Sequence, residues 1–322
     1  MSAAMAPPRQ VAPGVILVDT GYVRPGVAAA WIVKGGAGAA VIETGTARSV
    51  PHVLAGLAAH GIAPEAVSHV IVTHVHLDHA AGAGALLARL PAARLVVHPR
   101  GARHMIDPSK LLAGAAEVYG GMEAIRELYG DVLPAPADRV IEAPEGTLVE
   151  LGGRTLRILD TPGHAKHHFV VHDPATRGFF TGDTFGISYR EFDDASGPFM
   201  YPTTTPVQFD PPALKASVER MLAERPERMY LTHYGMLEGR IPEAAAAMLA
   251  AVDGHVAVAR GAPAGPGRQA AIRAGLVEQL LDLLARRGWK GTREEALEAY
   301  ATDLDLNSQG LEVWLAPAPA RP

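Results

Sequence analysis

The sequence predicts an α/β fold, and two observations carry that prediction. Short β-type runs separated by turn residues fill the first third of the chain: "GVILVD", "AAAWIVKGG", "GAAVIETG", "SHVIVTH" and "RLVVHP". Between the last three lie two segments with helical spacing, "ARSVPHVLAGLAAHG" and "AGAGALLARLP", each closed by Gly or Pro as a helix end should be. Strands alternating with helices in this way indicate an α/β architecture.

The later elements follow in order. "TLVELGGRTLRILDT" reads as a hairpin, with Gly152 and Gly153 supplying the positive φ of a tight turn. A second hairpin is expected at "HHFVVHDPATRGFFTGD". In "QFDPPALKASVERMLA", Asp210 is placed as N-cap and Pro211 at the first helical position. The strand "RMYLTH" and the Ala-rich helix "PEAAAAMLAAVDGHVAVA" come next.

These elements make one domain over residues 1–260. A helical insertion at about 105–136 interrupts it with "LLAGAAEVYG" and "MEAIRELYG". Its Met105, Tyr119, Met122 and Tyr129 suit packing on the domain or an apolar lid. The stretch "GAPAGPG" opens residues 261–322 as a linker into a helical appendage, and the tail "APAPARP" is expected to fray. An apolar stripe on the appendage, Leu276, Leu280, Leu281 and Leu284, covers the chain's own core or pairs with a second copy, a homodimer being the reading preferred.

Composition narrows the chemistry. The formal net charge of −5 argues against a nucleic-acid partner, which needs clustered Lys and Arg. With no Cys, disulfides, thiolate metal sites, a Cys nucleophile and iron–sulfur clusters are excluded. Any metal site must therefore use His, Asp and Glu. The first residues lack a signal-type apolar run, and no stretch is read as reaching the roughly 18 apolar residues of a membrane span. The expectation is a cytoplasmic protein with no membrane partner.

"IVTHVHLDHAAGAG" puts three His and an Asp within six residues directly after an apolar strand. Such side chains bury poorly without a counter-charge, and a cation supplies one. His74 and His76 are two apart and can point to one side, with Asp78 and His79 continuing the turn. "LDTPGH" brings His164, "FFTGD" brings Asp183 and "MYLTH" brings His233, each just after a strand. Four strand ends delivering His or Asp into loops describe one mouth of a sheet structure, with ligands suited to zinc and also to iron or manganese.

In this order and spacing, "THVHLDH", "TPGH", "FTGD" and "LTHYG" resemble the ligand motifs of the metallo-β-lactamase superfamily, over roughly residues 14–240. The resemblance implies an αββα sandwich, two mixed β-sheets flanked by helices, with a dinuclear site on one edge. It implies that His74, His76 and His164 hold one metal, that Asp78, His79 and His233 hold the other, and that Asp183 bridges. The cofactors would be two divalent ions, zinc first. An all-His/Asp ligand set leans toward the glyoxalase II-like branch. Three features depart from that branch. Glu43 stands where many relatives carry a supporting Asp. "GHAKHH" places Ala165 and His167 at altered positions. No basic cluster for gripping glutathione is found near the C-terminus.

Around the ligands, Glu43 is expected to support the ligand loop, and His98 and His168 to line the mouth or orient a ligand. The long segment "GISYREFDDASGPFMYPTTTP" follows Asp183, and loops of that length are usually functional or disordered. Tyr189 there is read as an oxyanion donor and Arg190 as a carboxylate binder, or else as a scaffold pairing with Glu191 or Asp193.

The function expected is hydrolysis of an ester, thioester or lactone carbonyl in a small molecule by a metal-bridging hydroxide, with Asp78, Asp183 and Tyr189 assisting. A phosphodiesterase and a mononuclear iron persulfide dioxygenase are the enzymatic alternatives. A non-catalytic metal-binding module is the third.

Overall fold

Thirteen strands form among the residues that the computed structural model describes, 5–205 and 207–316. The tail expected to fray lies outside them from residue 317 on. The first seven strands are β1 (Arg9–Ala12), β2 (Val15–Asp19), β3 (Ala29–Lys34), β4 (Ala39–Ile42), β5 (Val67–Ile71), β6 (Arg94–Val97) and β7 (Val140–Glu142). The rest are β8 (Leu148–Glu150), β9 (Thr155–Asp160), β10 (Phe169–Asp173), β11 (Gly178–Gly182), β12 (Arg228–Leu231) and β13 (Gly235–Glu238). Six helices precede β7: α1 (Val50–Ala59), α2 (Leu77–Ala80), α3 (Ala83–Leu87), α4 (Pro99–Ile106), α5 (Ser109–Tyr119) and α6 (Met122–Tyr129). Five more are α7 (Pro211–Ala223), α8 (Ile241–Gly261), α9 (Arg268–Arg286), α10 (Arg293–Ala299) and α11 (Ala301–Leu315).

The chain forms two compact units, both discontinuous in sequence. The first comprises Met1–Asp160, His167–Gly182 and Glu224–Gly239 and holds every strand. Its first sheet runs β1-β2-β3-β4-β5-β6-β7 and its second β13-β12-β11-β10-β9-β8. Both sheets are mixed. In the first, β1 to β4 pair antiparallel and β4 to β7 parallel. The parallel pairs are those joined by the helical crossovers α1, α2–α3 and α4–α6, since only a long connection returns a strand in the same direction. In the second sheet β11 and β12 alone pair parallel. Both expected hairpins form: β8–β9 turns at Gly152 and Gly153, whose φ of 67° and 100° suit residues without a Cβ, and β10 pairs with β11.

Alternation along the strands builds two cores. On β3, Trp31 and Val33 face inward with Leu17, Ile42, Ile71 and Val96, meeting Leu156, Ile158, Phe169, Val171, Phe180 and Tyr230 of the second sheet. Trp31 packs edge-on to Phe180 with ring centroids 5.9 Å apart. Truncating so buried an aromatic costs about 3–5 kcal/mol. Ile32 points the other way, with Ile16, Val18 and Val41, onto Val53 and Leu57 of α1 and Leu86 and Leu87 of α3. A buried ion pair ties the two sheets together. The Arg154 guanidinium donates to both oxygens of Asp173 (Nε–Oδ1 3.0 Å), to Pro13 O at 3.0 Å and to Lys34 O at 3.1 Å.

The second unit comprises Thr161–Lys166, Asp183–Ala223 and Arg240–Pro322. It is larger than the appendage drawn from the sequence at residue 261, because the segment after Asp183 is part of its core. Phe185, Ile187, Tyr189, Phe192, Phe199 and Tyr201 are all buried. Phe192 lies 5.2 Å from the Trp289 ring, and Arg287 donates to Asp194 at 2.8 Å. Leu276, Leu280 and Leu284 of α9 are buried as well, so the apolar stripe covers this unit's own core. α7 starts as expected, with Ala213 N donating to Asp210 Oδ1 at 3.2 Å. By length and composition α8 is apolar enough to cross a membrane, which the sequence reading did not anticipate. Its four consecutive alanines raise the hydropathy. Ala244, Met248, Ala251, Val252, His255 and Ala259 form a buried stripe at helical spacing, the pattern of a core helix.

Candidate metal centre

The ligand-type side chains of the first unit sit where β5 leaves the sheet. Val72 and Val75 are buried in the helix-facing core, and they fix the strand end from which His74 and His76 project. Extended backbone through His76 (ψ 149°) keeps the two imidazoles on one side, their rings 4.4 Å apart and His74 Nε2 3.0 Å from His76 Nδ1. The single turn of α2 then brings in Asp78 and His79. β12 ends two residues before His233, whose Nε2 lies 3.2 Å from Asp78 Oδ2 and 3.3 Å from His79 Nε2. Asp78 Oδ2 is 3.6 Å from His79 Nε2. Asp78, His79 and His233 thus offer ligand atoms all within 4.8 Å of one another.

Partners on the far side of the rings assign the nitrogens. His233 Nδ1 contacts the carbonyl of Val27 at 2.9 Å, and His79 Nδ1 lies 3.4 Å from the Glu43 carboxylate. Both neighbours can only accept, so each Nδ1 carries the proton and each Nε2 the lone pair. Two lone pairs 3.3 Å apart beside a carboxylate repel one another unless a cation lies among them. This donor set fits a divalent metal.

The surroundings hold the ligands in place. Glu43, 1% exposed, accepts a hydrogen bond from Thr73, whose Oγ1 also lies 3.1 Å from His74 Nδ1. His168 is buried with its ring centroid 4.8 Å from that of His74. Gly182 permits this packing: a Cβ there would lie 2.5 Å from both His168 Nε2 and Thr73 Oγ1, and its φ is +48°. Tyr234 donates to Asp19 Oδ2 at 3.1 Å, while the backbone N–H groups of Gly21 and Gly26 donate to the same carboxylate at 2.9 and 2.8 Å. That cluster pins the β2–β3 loop to the His233 segment. His98 caps α4, accepting from Arg100 N at 3.0 Å, and lies 3.7 Å from Asp160. Burial holds its pKa below the usual value, against the pull of Asp160.

In the second unit, His164 and Asp183 lie together, Nε2 to Oδ2 at 3.4 Å. Thr203 reaches both, with Oγ1 at 2.5 Å from His164 Nδ1 and 3.4 Å from Asp183 Oδ2. Thr203, Thr73 and Asp19 escaped the sequence reading, because hydroxyl or carboxylate partners distant in sequence leave no motif. Tyr189 is placed otherwise than as an oxyanion donor: it is buried, and its hydroxyl donates to Asp303 Oδ2 at 3.0 Å. Arg190 pairs with Asp193 at 3.0 Å, the scaffold alternative.

A family model described as the metallo-beta-lactamase superfamily matches residues 23–233. Similar proteins include a metallo-beta-lactamase fold-containing protein, ST1585, of Sulfurisphaera tokodaii, 28% identical over 55% of this chain and 64% of its own length. A hydroxyacylglutathione hydrolase of Cupriavidus taiwanensis is 35% identical over 49% of each chain. An acyl-coenzyme A thioesterase, MBLAC2, of Gallus gallus is 29% identical over 48% of this chain and 56% of its own. The matches thus span about half to two thirds of these relatives. The crystal structure of ST1585, from Sulfolobus tokodaii, superposes with a TM-score of 0.65 at 22% identity, covering 92% of this chain and 98% of that one. The two mixed sheets flanked by helices are the fold these neighbours share.

Proposed function

Because the chain belongs to the metallo-beta-lactamase superfamily, we propose that it is a hydrolase of ester, thioester or lactone carbonyls in small molecules. It would work with two divalent ions, zinc first. His74, His76 and His164 would hold one, Asp78, His79 and His233 the other, and Asp183 would serve both. Bound there, the ions would lower the pKa of a water toward about 7 and polarise the substrate carbonyl.

The protein's own groups do the rest. His233 keeps its Nε2 lone pair aimed inward because Val27 O takes the opposite N–H group, and the Glu43 carboxylate 3.4 Å from His79 Nδ1 favours the same orientation there. The Asp78 side chain is 21% exposed, against 0% for His79 and 7% for His233, so it is the acid of this trio that an incoming water meets first. It orients that water and takes its proton as the carbonyl is attacked. No Ser or Cys nucleophile is required, and the chain has no Cys. Tyr189 is left out of the chemistry, since its hydroxyl serves Asp303.

The observation that carries the reading is the convergence of the Asp78, His79 and His233 donor atoms, both imidazoles buried. A carbonyl rather than a phosphodiester substrate is supported by relatives named as a hydroxyacylglutathione hydrolase and an acyl-coenzyme A thioesterase, together with the acidic net charge of −5. A hydrolysis screen across thioesters, lactones, phosphodiesters and β-lactams, with metal content measured on the same sample, tests it. Carbonyl hydrolysis lost in His76→Ala is the expected result. Turnover of phosphodiesters alone, or a single iron with oxygen uptake, would replace the reading.

A further inference from the structure

We infer that Glu43 and Thr73 act as one positioning pair, holding a histidine from each half of the proposed ligand set in the tautomer that presents Nε2 to the metal. The inference rests on the metal-centre reading and goes beyond it, since it makes the two halves depend on one carboxylate.

Glu43 directly follows β4 and is fixed there: its N–H donates to Ile71 O at 2.8 Å, and its φ of +63° is a left-handed conformation unusual for a residue with a Cβ. Such a backbone is costly for a residue with a Cβ, and it is kept here at a side chain only 1% exposed. The Thr73 hydroxyl has one proton, and it goes to Glu43 Oε1. Its oxygen therefore meets His74 Nδ1, 3.1 Å away, as an acceptor, so the His74 proton is on Nδ1 and the lone pair on Nε2. Glu43 Oε1 also lies 3.4 Å from His79 Nδ1, and its charge favours a proton on that nitrogen. One carboxylate oxygen thus orients His79 directly and His74 through a hydroxyl. His74 belongs to the half with His76. His79 belongs to the half with Asp78 and His233.

The pair predicts a joint effect. Removing it lets both imidazoles populate the wrong tautomer, and outer-shell partners of this kind are worth about 10–100-fold in metal affinity. The test is a competitive zinc titration of the full chain, read beside 15N–1H spectra that report histidine tautomers in the metal-free protein. Glu43→Gln should weaken both zinc-binding steps by about 10–100-fold and mix the His74 and His79 tautomers, whereas Thr73→Val should weaken the step at His74 by that factor and mix the His74 tautomer alone. Thr73→Ser, which keeps the hydroxyl, should behave as wild type. If Glu43→Gln does not fold, the contrast between Thr73→Val and Thr73→Ser tests the His74 arm, and a His79 proton on Nε2 in the parent chain would overturn the other. Wild-type affinity in Thr73→Val, weakening confined to one ion in Glu43→Gln, or a His74 proton on Nε2 in the parent chain would overturn the pair while leaving the metal centre standing. A parent chain that takes up no zinc would remove both.

Discussion

Acid should loosen the second unit through His255. This imidazole is fully buried on α8, with Nδ1 3.0 Å from Gln279 Oε1, Nε2 3.5 Å from Asn307 Nδ2, and the Tyr201 ring edge-on at 5.0 Å. Desolvation lowers its pKa to about 4 from 6.5, although the hydrogen bonds the ring makes to Gln279 and the Ala251 backbone pull the other way. Above pH 6.5 the ring is neutral whether the chain is folded or not, and its full contribution is present. As pH falls toward 4 only the unfolded chain takes the proton, so stability falls by about 1.4 kcal/mol per pH unit. Between pH 6.5 and 4 the total loss is about 3 kcal/mol. Urea denaturation of the metal-free chain at pH 8, 7, 6 and 5, followed by tryptophan fluorescence, measures the slope. Other histidines titrate too, so the quantity of interest is the difference from His255→Gln, which cannot titrate. The variant is expected to be less stable at pH 8 and to lose less on acidification. Parallel pH profiles for the two chains would refute the reasoning.

Three further perturbations separate structure from chemistry. Arg154→Met strands the fully buried Asp173 and should cost about 3–5 kcal/mol in denaturant unfolding, with much of it recovered in Arg154→Met/Asp173→Leu. A single-variant loss below about 1 kcal/mol would show that the pair does not tie the sheets. Gly182→Ala, forced against His168 and Thr73 at positive φ, should lower both the melting temperature and zinc uptake, and a variant matching the parent in both would contradict that packing. Tyr189→Phe should lose about 1 kcal/mol of stability with kcat kept within about two-fold, because its hydroxyl serves Asp303. A large fall in kcat at unchanged stability would return the phenol to the chemistry.

What could be read from the sequence was local. The strands, the Gly152–Gly153 hairpin, the Asp210 cap and the His74–His79 run each depend on residues a few positions apart, whose periodicity or turn chemistry is visible in a line of text. The ligand loops after β5 and β12 were equally legible, since a His directly after an apolar strand stands out. Long-range pairings were not. Tyr189 looked like a substrate contact because Asp303 is 114 residues away, and the aromatic segment after Asp183 looked like an open loop because its partners, Trp289 and Tyr300, lie in the connections between the C-terminal helices. The Leu276, Leu280 and Leu284 stripe left open whether it met its own chain or another. Glu43 was singled out from the sequence, but the reach of its carboxylate to Thr73 and His79 required coordinates.

The most direct measurement strips the protein of metal with a chelator, returns zinc stepwise, and follows thioester hydrolysis and bound zinc on the same samples. The account predicts no turnover without metal and a rate that climbs with occupancy and levels at two ions per chain. Hydrolysis that persists in the metal-free protein, or a folded chain that takes up no zinc, would contradict it.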